Sequence, residues 1–238
     1  MTENNQPEKY LFFSSENLIE YFHNNLAEKD IKTQSKRIFE MARVFLSMKE
    51  FSFEDIYSIV VMVRDIQSYN MIHEVLKLYF RDNSFPVGIV FQTSELEGSA
   101  DIEIEFSAFK GDKHFIKVQD TESMSQPFSP GIVIDNYVHS SGISSKVSLI
   151  SDQNAKDFED AVEDCLTSLK KTLDQAGTSL EKVYSFIAYL KNMDNLPWLE
   201  EVFARNHLNR EGVLLEVVKI DQLRDNRSLE ISCSAALH

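Results

Sequence analysis

Two strand-like segments each carry a glutamate that could act as a general base if the fold buries it. Glu103 lies in IEIEFSA, residues 102–108, and Glu230 lies in LEISCSA, residues 229–235. Burial raises the pKa of a carboxyl group and makes a carboxylate a better proton acceptor. On an alternating strand, however, the same side chain could point into solvent. Both interpretations stay open from the residues alone.

A second candidate is HSSG, residues 139–142, where a histidine stands beside two serines. This combination could supply a base and a nucleophile. The sequence places no aspartate to orient His139, and hydroxyl groups at a strand end commonly satisfy backbone groups. We therefore predict a structural role for Ser140 and Ser141. No phosphate-binding glycine loop and no metal-ligand spacing occurs in the sequence, so no cofactor and no metal is predicted.

The chain has 238 residues and a formal net charge of −14. This charge disfavours binding to nucleic-acid phosphates and to anionic membranes, which both select Lys and Arg. The N-terminus lacks a basic stretch followed by an apolar one, and no window is apolar enough to span a bilayer. Cys165 and Cys233 are too few for a disulfide framework. We predict a cytoplasmic protein that binds neither nucleic acid nor membrane.

The positions of these residues depend on an internal repeat. The segments FSFEDIYSIVVMVRD, residues 51–65, and TSLEKVYSFIAYLKN, residues 178–192, match when Tyr57 is aligned with Tyr184. The same spacing aligns Tyr10 with Tyr137 and residues 102–108 with residues 229–235, without a gap. A single spacing that holds over this length indicates a tandem duplication.

Each repeat reads as an α+β unit of the order β-β-α-β-α-β-β, with helices on one face of a mixed sheet. Apolar residues recur at helical spacing in residues 30–46 and again in 157–173, and in a second helix at 68–80. YLFFSS with LIEYF, and NYVHSSG with KVSLI, are predicted as hairpins. We predict domains at 1–111 and 112–238, with HFIKVQ, residues 114–119, as linker or as an extra strand of the second repeat.

The motifs and their order resemble the reactive-intermediate deaminase family, also called Rid or YjgF. The matching segments are DIKTQ at 30–34, FPVG at 85–88, IEIEFSA at 102–108, HSSG at 139–142 and LEISCSA at 229–235. Each motif is weak alone, but the order, the spacing and the twofold occurrence strengthen the match. The resemblance covers most of the chain and implies two repeats of the chorismate-mutase-like fold.

The resemblance also implies a chemistry. Active members of the family hydrolyse 2-imino acids in clefts between subunits, where an arginine holds the substrate carboxylate and a glutamate positions the water. The arginine position is Gly88 in the first repeat and Leu215 in the second, whereas the glutamate is kept as Glu103 and Glu230. Ser141 and Gly142 match the family's Ser-Gly pair, which is Ser14-Ser15 in the first repeat. Arg210, five residues before Leu215, could swing toward the cleft. The candidate ligand-binding residues are therefore Gly88, Leu215, Ser141, Gly142 and Arg210.

Three hypotheses about function follow. The first is a regulatory or small-molecule-binding oligomer that lacks ordinary 2-imino-acid deaminase activity. The alternative is a hydrolase of altered specificity that acts on an imine or enamine through Glu103 or Glu230. The third is a structural oligomer with empty clefts. Some relatives are described as ribonucleases, which the net charge disfavours. Because single-repeat relatives are trimers, we predict a homo-oligomer of three tandem chains that binds its ligand between repeats or subunits.

Overall fold

The fold is a tandem pair of α+β units, seen in a computed structural model that describes residues 9–23, 30–81, 84–118, 128–145 and 154–238. The first unit contains seven elements in chain order. They are strand β1 (Tyr10–Ser14), helices α1 (Ser15–Tyr21) and α2 (Ile31–Met48), strand β2 (Ile56–Val63), helix α3 (Tyr69–Tyr79), and strands β3 (Val87–Gln92) and β4 (Ile102–Phe109).

The second unit repeats the order from α2 to β4, with additional strands, and has a short strand where the first unit has α1. It consists of strands β5 (Lys113–Ile116), β6 (Gly131–Ile134), β7 (Tyr137–Ser140) and β8 (Ile143–Ser144), helix α4 (Ala155–Ala176), strand β9 (Val183–Leu190), helix α5 (Leu196–Arg205), and strands β10 (Leu214–Lys219), β11 (Gln222–Leu223) and β12 (Leu229–Ala236). The bounds of β9, β10 and β12 are those of β2, β3 and β4 displaced by the repeat spacing. The predicted tandem α+β fold is confirmed.

The strands form two mixed sheets. The first has the order β1-β4-β2-β3-β11, and the second has the order β10-β9-β12-β7-β6-β5, with β8 paired to β12. The pairs β2–β3 and β9–β10 are parallel, and the other pairs are antiparallel. Strand β11 comes from the second repeat but extends the sheet of the first, so the two repeats share one hydrogen-bonded edge.

Each sheet is covered by helices on one face. Apolar side chains of α2 and α3 pack on the first sheet around Phe39 and Phe106, and those of α4 and α5 pack on the second sheet around Phe158 and Phe186. Helical periodicity therefore predicted these helices correctly, because a helix that buries one face needs apolar residues at helical spacing. None of the described helices is long and apolar enough to cross a bilayer.

The N-terminal hairpin prediction is wrong. LIEYF, predicted as a strand, lies in helix α1 and the residue that follows it. Ser14 caps this helix: its Oγ accepts a hydrogen bond from the backbone N–H of Asn17 at 3.2 Å, and Asn17 Oδ1 accepts one from the N–H of Ser14 at 3.0 Å. This reciprocal capping satisfies two backbone donors and favours a helix at this point.

The segment between the repeats contributes a strand to the second one. Lys113–Ile116, which overlaps the predicted extra strand, pairs antiparallel with β6 and confirms that part of the prediction. NYVHSS contains β7 as predicted, and β7 pairs with β6 and β12. KVSLI lies outside the described residues.

The two sheets pack against each other through their helix-free faces. One apolar cluster contains Tyr57, Val87 and Phe109 of the first repeat with Ile132 and Ile134 of the second. Another apolar cluster includes Ile89 and Phe91 of the first repeat with Tyr189, Ile220 and Leu223 of the second. The repeats are therefore joined by buried apolar surface in addition to the linking chain.

Truncation of Phe109 tests this packing, because its ring is fully buried between the sheets. We expect Phe109→Ala to lower the free energy of unfolding by about 3–5 kcal/mol. The exposed Leu78, on α3, is the control. Leu78→Ala should change the free energy of unfolding by less than about 0.5 kcal/mol. Urea unfolding followed by circular dichroism measures both; equal effects would contradict the described packing.

Candidate functional site

The candidate site lies between the sheets, where matching columns of side chains face each other. Along β4 the residues on the helix-free face are Glu103, Glu105 and Ser107, and residues between them, such as Phe106, belong to the helix-side core. The matching column on β12 is Glu230, Ser232 and Ser234. Strand alternation therefore places a polar row on the helix-free face of each repeat, and the serines of the two rows line the space between the sheets.

A cavity of about 160 Å³ lies between the two apolar clusters. Its polar lining includes six serines, together with His139, Tyr57 and Tyr189. The serines are Ser58, Ser107, Ser140, Ser185, Ser232 and Ser234. Apolar walls are supplied by both repeats, with Val60 and Ile89 from the first and Ile187 from the second.

Gly88, Ser141 and Gly142 meet at one wall of this region. The backbone N–H of Gly88 donates to Ser141 Oγ at 2.9 Å, and the N–H of Gly142 donates to the carbonyl of Gly88 at 3.1 Å. Ser141 Oγ also donates to the carbonyl of Ser129 at 2.6 Å, and Ser140 Oγ accepts from the N–H of Cys233 at 2.8 Å. Both hydroxyls thus satisfy backbone groups, as the sequence predicted.

Position 88 has no space for a side chain. A Cβ atom there would lie 2.3 Å from the carbonyl oxygen of Ile59 and 2.8 Å from Cε1 of Phe128. Phe128 is buried and packs in the helix-side core of the first repeat. The Phe128 ring therefore fills the space next to Gly88 that a longer side chain would need.

The two predicted glutamates have different surroundings. Glu230 is 2% exposed, and its Oε2 would lie 2.6 Å from a Cβ on residue 142, so glycine at 142 permits this approach. Glu103 is half-buried, and its Oε1 accepts a hydrogen bond from the backbone N–H of Glu97 at 3.2 Å. Glu230 therefore joins Gly88, Ser141 and Gly142 at the seam, whereas Glu103 does not.

Two further predicted ligand residues lie elsewhere. The guanidinium of Arg210 donates to the carbonyls of Leu180, Glu181 and Val183 at 2.7–3.2 Å, so it braces the turn before β9 and does not reach the cleft. Leu215 lies on β10 and packs against the helix-side core of the second repeat. The hydrogen bonds to local carbonyls hold Arg210 at the turn, and core packing holds Leu215 on the helix side. These contacts correct the predictions that the two residues bind a ligand.

The described cavity lining lacks charged side chains, although, after burial, carboxylates outside the lining, Glu230 first among them, raise the pKa of the lining residue Tyr189. No Asp, Glu, Lys or Arg is among the described residues that line it. Burial lowers the pKa of His139 to about 4 and raises that of Cys233 to about 12. Burial also raises the pKa of Tyr57, and it raises that of Tyr189, which the nearby Glu230 raises further. Each of these four groups is therefore uncharged near neutral pH.

The remaining candidates for chemistry near the cavity are the His139–Ser234 contact and a metal site. His139 Nδ1 lies 2.9 Å from Ser234 Oγ, a contact that orients both groups. Within the described part of the chain, no three His, Cys, Asp or Glu side chains are arranged to hold a metal ion.

The serine lining was missed at the sequence level. Ser58 matches Ser185 and Ser107 matches Ser234 at the repeat spacing, so two identical pairs were visible in the sequence. Nothing in the sequence indicated that the helix-free faces meet, and that meeting turns surface serines into a cavity lining.

The fold and the site define a class: tandem α+β repeat proteins whose two sheets line a cavity at their shared seam. The family model for endoribonuclease L-PSP matches the chain twice, at residues 8–110 and 120–237. The chain therefore belongs to this family, also called Rid or YjgF, as a tandem-repeat member.

Individual relatives match one repeat. A RutC family protein from Pyrococcus horikoshii is 26% identical over 101 residues, which are 42% of this chain and 79% of the relative. A RutC family protein from Buchnera aphidicola is 27% identical over 105 residues, covering 43% of this chain and 81% of the relative. Among solved structures, a chorismatase covers 96% of this chain and 75% of its own, with a TM-score of 0.69 and 12% identity. That likeness concerns the fold alone.

The burial of His139 gives a pH-dependent stability. Its pKa is about 4 in the fold and 6.5 in the unfolded chain. The unfolded chain therefore binds more protons between these two values. Stability should fall as the pH falls from about 6.5 to about 4, by up to about 3 kcal/mol from this group.

Urea unfolding at about pH 7 and about pH 5 measures the effect. We expect His139→Phe to lose less stability between the two pH values than the parent chain does. His114→Phe, at an exposed histidine, controls for the loss of a histidine elsewhere. An equal loss in the parent and in His139→Phe would show that His139 does not titrate as described.

Proposed function

We propose that this chain is a small-molecule-binding oligomer of the Rid family without ordinary 2-imino-acid deaminase activity. The observation that carries the proposal is the packing at position 88, where Ile59 and Phe128 leave no room for the family's carboxylate-binding arginine. The matching position in the second repeat is Leu215, which packs against the core. Holding a carboxylate requires a charged partner, and neither position supplies one.

An assay with 2-aminoacrylate or another imino acid generated in situ tests this proposal through release of the keto acid. We expect turnover roughly 30- to several-thousand-fold below that of an active imine deaminase, because a missing charged partner costs about 2–5 kcal/mol. Gly88→Arg should not gain activity, since its Cβ would collide with the Ile59 carbonyl. Turnover equal to that of the active enzyme would refute the proposal.

The alternative is a hydrolase of altered specificity that uses Glu230. Its support is the burial of Glu230 at the seam beside Gly142. The carboxylate does not line the cavity, however, and Glu103 is held by a backbone N–H. Residual keto-acid release that disappears in Glu230→Gln would favour this alternative.

Self-association is the second part of the proposal, and matched positions of the two repeats support it. Val87 is 2% exposed beside the second repeat, whereas its counterpart Leu214 is 60% exposed on β10. Tyr57 is 7% exposed, whereas its counterpart Tyr184 is 39% exposed. The second repeat thus presents an uncovered copy of the surface that it covers on the first. Strand β10 also lies at the edge of its sheet, and such edges favour pairing with another chain.

Light scattering should give a mass above the 27.4 kDa of one chain, and a trimer of chains stays the expected assembly. Leu214→Glu should shift the mass toward one chain, because it places a charge on the uncovered apolar surface. Leu78→Glu introduces the same charge at an exposed leucine on α3 and should leave the mass unchanged. A monomeric parent chain would contradict this assembly.

A further inference from the structure

We propose that the cavity between the sheets binds a small, uncharged, polar molecule such as a hydroxy amide. This inference rests on the proposed small-molecule function and names its site and ligand class. The residues that would bind the ligand are the serines and His139, which differ from the arginine and glutamate of the family's imine chemistry. Gly88 and Gly142 contribute to the wall, but they offer no side chain.

Hydroxyl groups reach the cavity from both repeats in matched positions. Ser58 and Ser107 lie on the first sheet, and their counterparts Ser185 and Ser234 lie on the second. A serine hydroxyl can donate one hydrogen bond and accept others, and it can rotate to suit its partner. A ligand with a hydroxyl, amide or carbonyl group could therefore be bound from two sides.

His139 adds a group that is polar but uncharged near neutral pH. Its Nδ1 contacts Ser234 Oγ at 2.9 Å, and its ring lies 5.4 Å from the ring of Tyr57. Burial disfavours its protonation. The imidazole therefore provides a hydrogen-bonding partner without introducing the charge that would attract an anion.

The absence of charge from the described lining selects against ions of either sign. A carboxylate or an ammonium group entering this space would lose hydration without gaining an opposite charge among the described lining residues. A neutral amide or alcohol would lose less, because hydroxyl groups of the lining replace its hydrogen bonds to water. Charge, more than shape, should therefore separate ligands from non-ligands.

The size of the cavity limits the ligand. The cavity measures about 160 Å³. A space of this order accommodates a molecule as large as benzene. The apolar walls formed by Val60, Val87 and Ile187 can contact methyl or methylene groups. Lactamide fits these requirements, since it combines a hydroxyl, an amide and a methyl group.

Three probes of nearly equal size test the proposal: neutral lactamide, anionic lactate and, at about pH 6.5, cationic alaninamide. Each is titrated into the full-length chain, and NMR follows both the probe and the His139 imidazole signal. We expect lactamide to bind with a Kd on the order of 1 mM and to shift the His139 signal. Lactate and alaninamide should bind at least about tenfold more weakly.

Two variants locate the site. His139→Phe should weaken lactamide binding about tenfold, as expected for one lost hydrogen bond. Ser185→Ala is a milder second variant, which should weaken binding severalfold if His139→Phe does not fold. Phe12→His is the matched control, because Phe12 is the counterpart of His139 in the first repeat, is exposed and does not line the cavity.

Absence of lactamide binding would overturn the proposal. Equal binding of all three probes, or lactamide binding that both lining variants leave unchanged, would do so as well. These outcomes are independent of the keto-acid assay. Deaminase turnover would refute the proposed function. Failure of lactamide to bind would refute only the proposed ligand class and would not affect the prediction that deaminase activity is missing.

Discussion

The structure depends on the burial of two sheet faces against each other. Helices cover one face of each sheet, and the other face carries apolar residues such as Ile89 on β3 and Ile187 on β9. A single repeat would expose this face to water, which is unfavourable for contiguous apolar surface. Contact between the repeats removes that surface from water, and the same contact forms the cavity and buries His139, which stays neutral.

The two repeats contribute different surfaces to this contact, so residues at matching positions have different environments. The edge of β3 is covered by the backbone of Gly142 and by strand β11, both from the second repeat. The edge of β10, its counterpart, has no paired strand among the described residues. Burial raises the pKa of Glu105, and two carboxylates raise it further: Glu103 on the same strand and Glu216 on β10 of the second repeat. The cavity and the uncovered surface are thus two results of one asymmetric arrangement.

The sequence predicted what local periodicity and duplication determine. Helices α2 and α4 and strands β2 and β9 follow from apolar spacing, and the constant repeat spacing transfers one repeat's elements to the other. Helix α1 was missed because a cap formed by Ser14 and Asn17 outweighs the strand-like apolar pattern. Arg210 was misassigned because linear distance from Leu215 says nothing about the carbonyls near the guanidinium. The serine cavity depends on which faces meet, and that is a tertiary property.

His139 and Phe12 occupy matching positions of the two repeats but have different surroundings, and this difference has a further consequence. In an assembly of identical subunits, any substitution at a shared interface appears at every copy and must be tolerated in all of them at once. Here the two members of a pair belong to one gene product but occupy different surroundings, one at the seam and one exposed. Ile89 and Glu216, and likewise Glu105 and Ser232, have diverged in the same way. Covalent fusion of the duplicates has thus released the interface from symmetry, so that one surface can specialise while its twin changes independently.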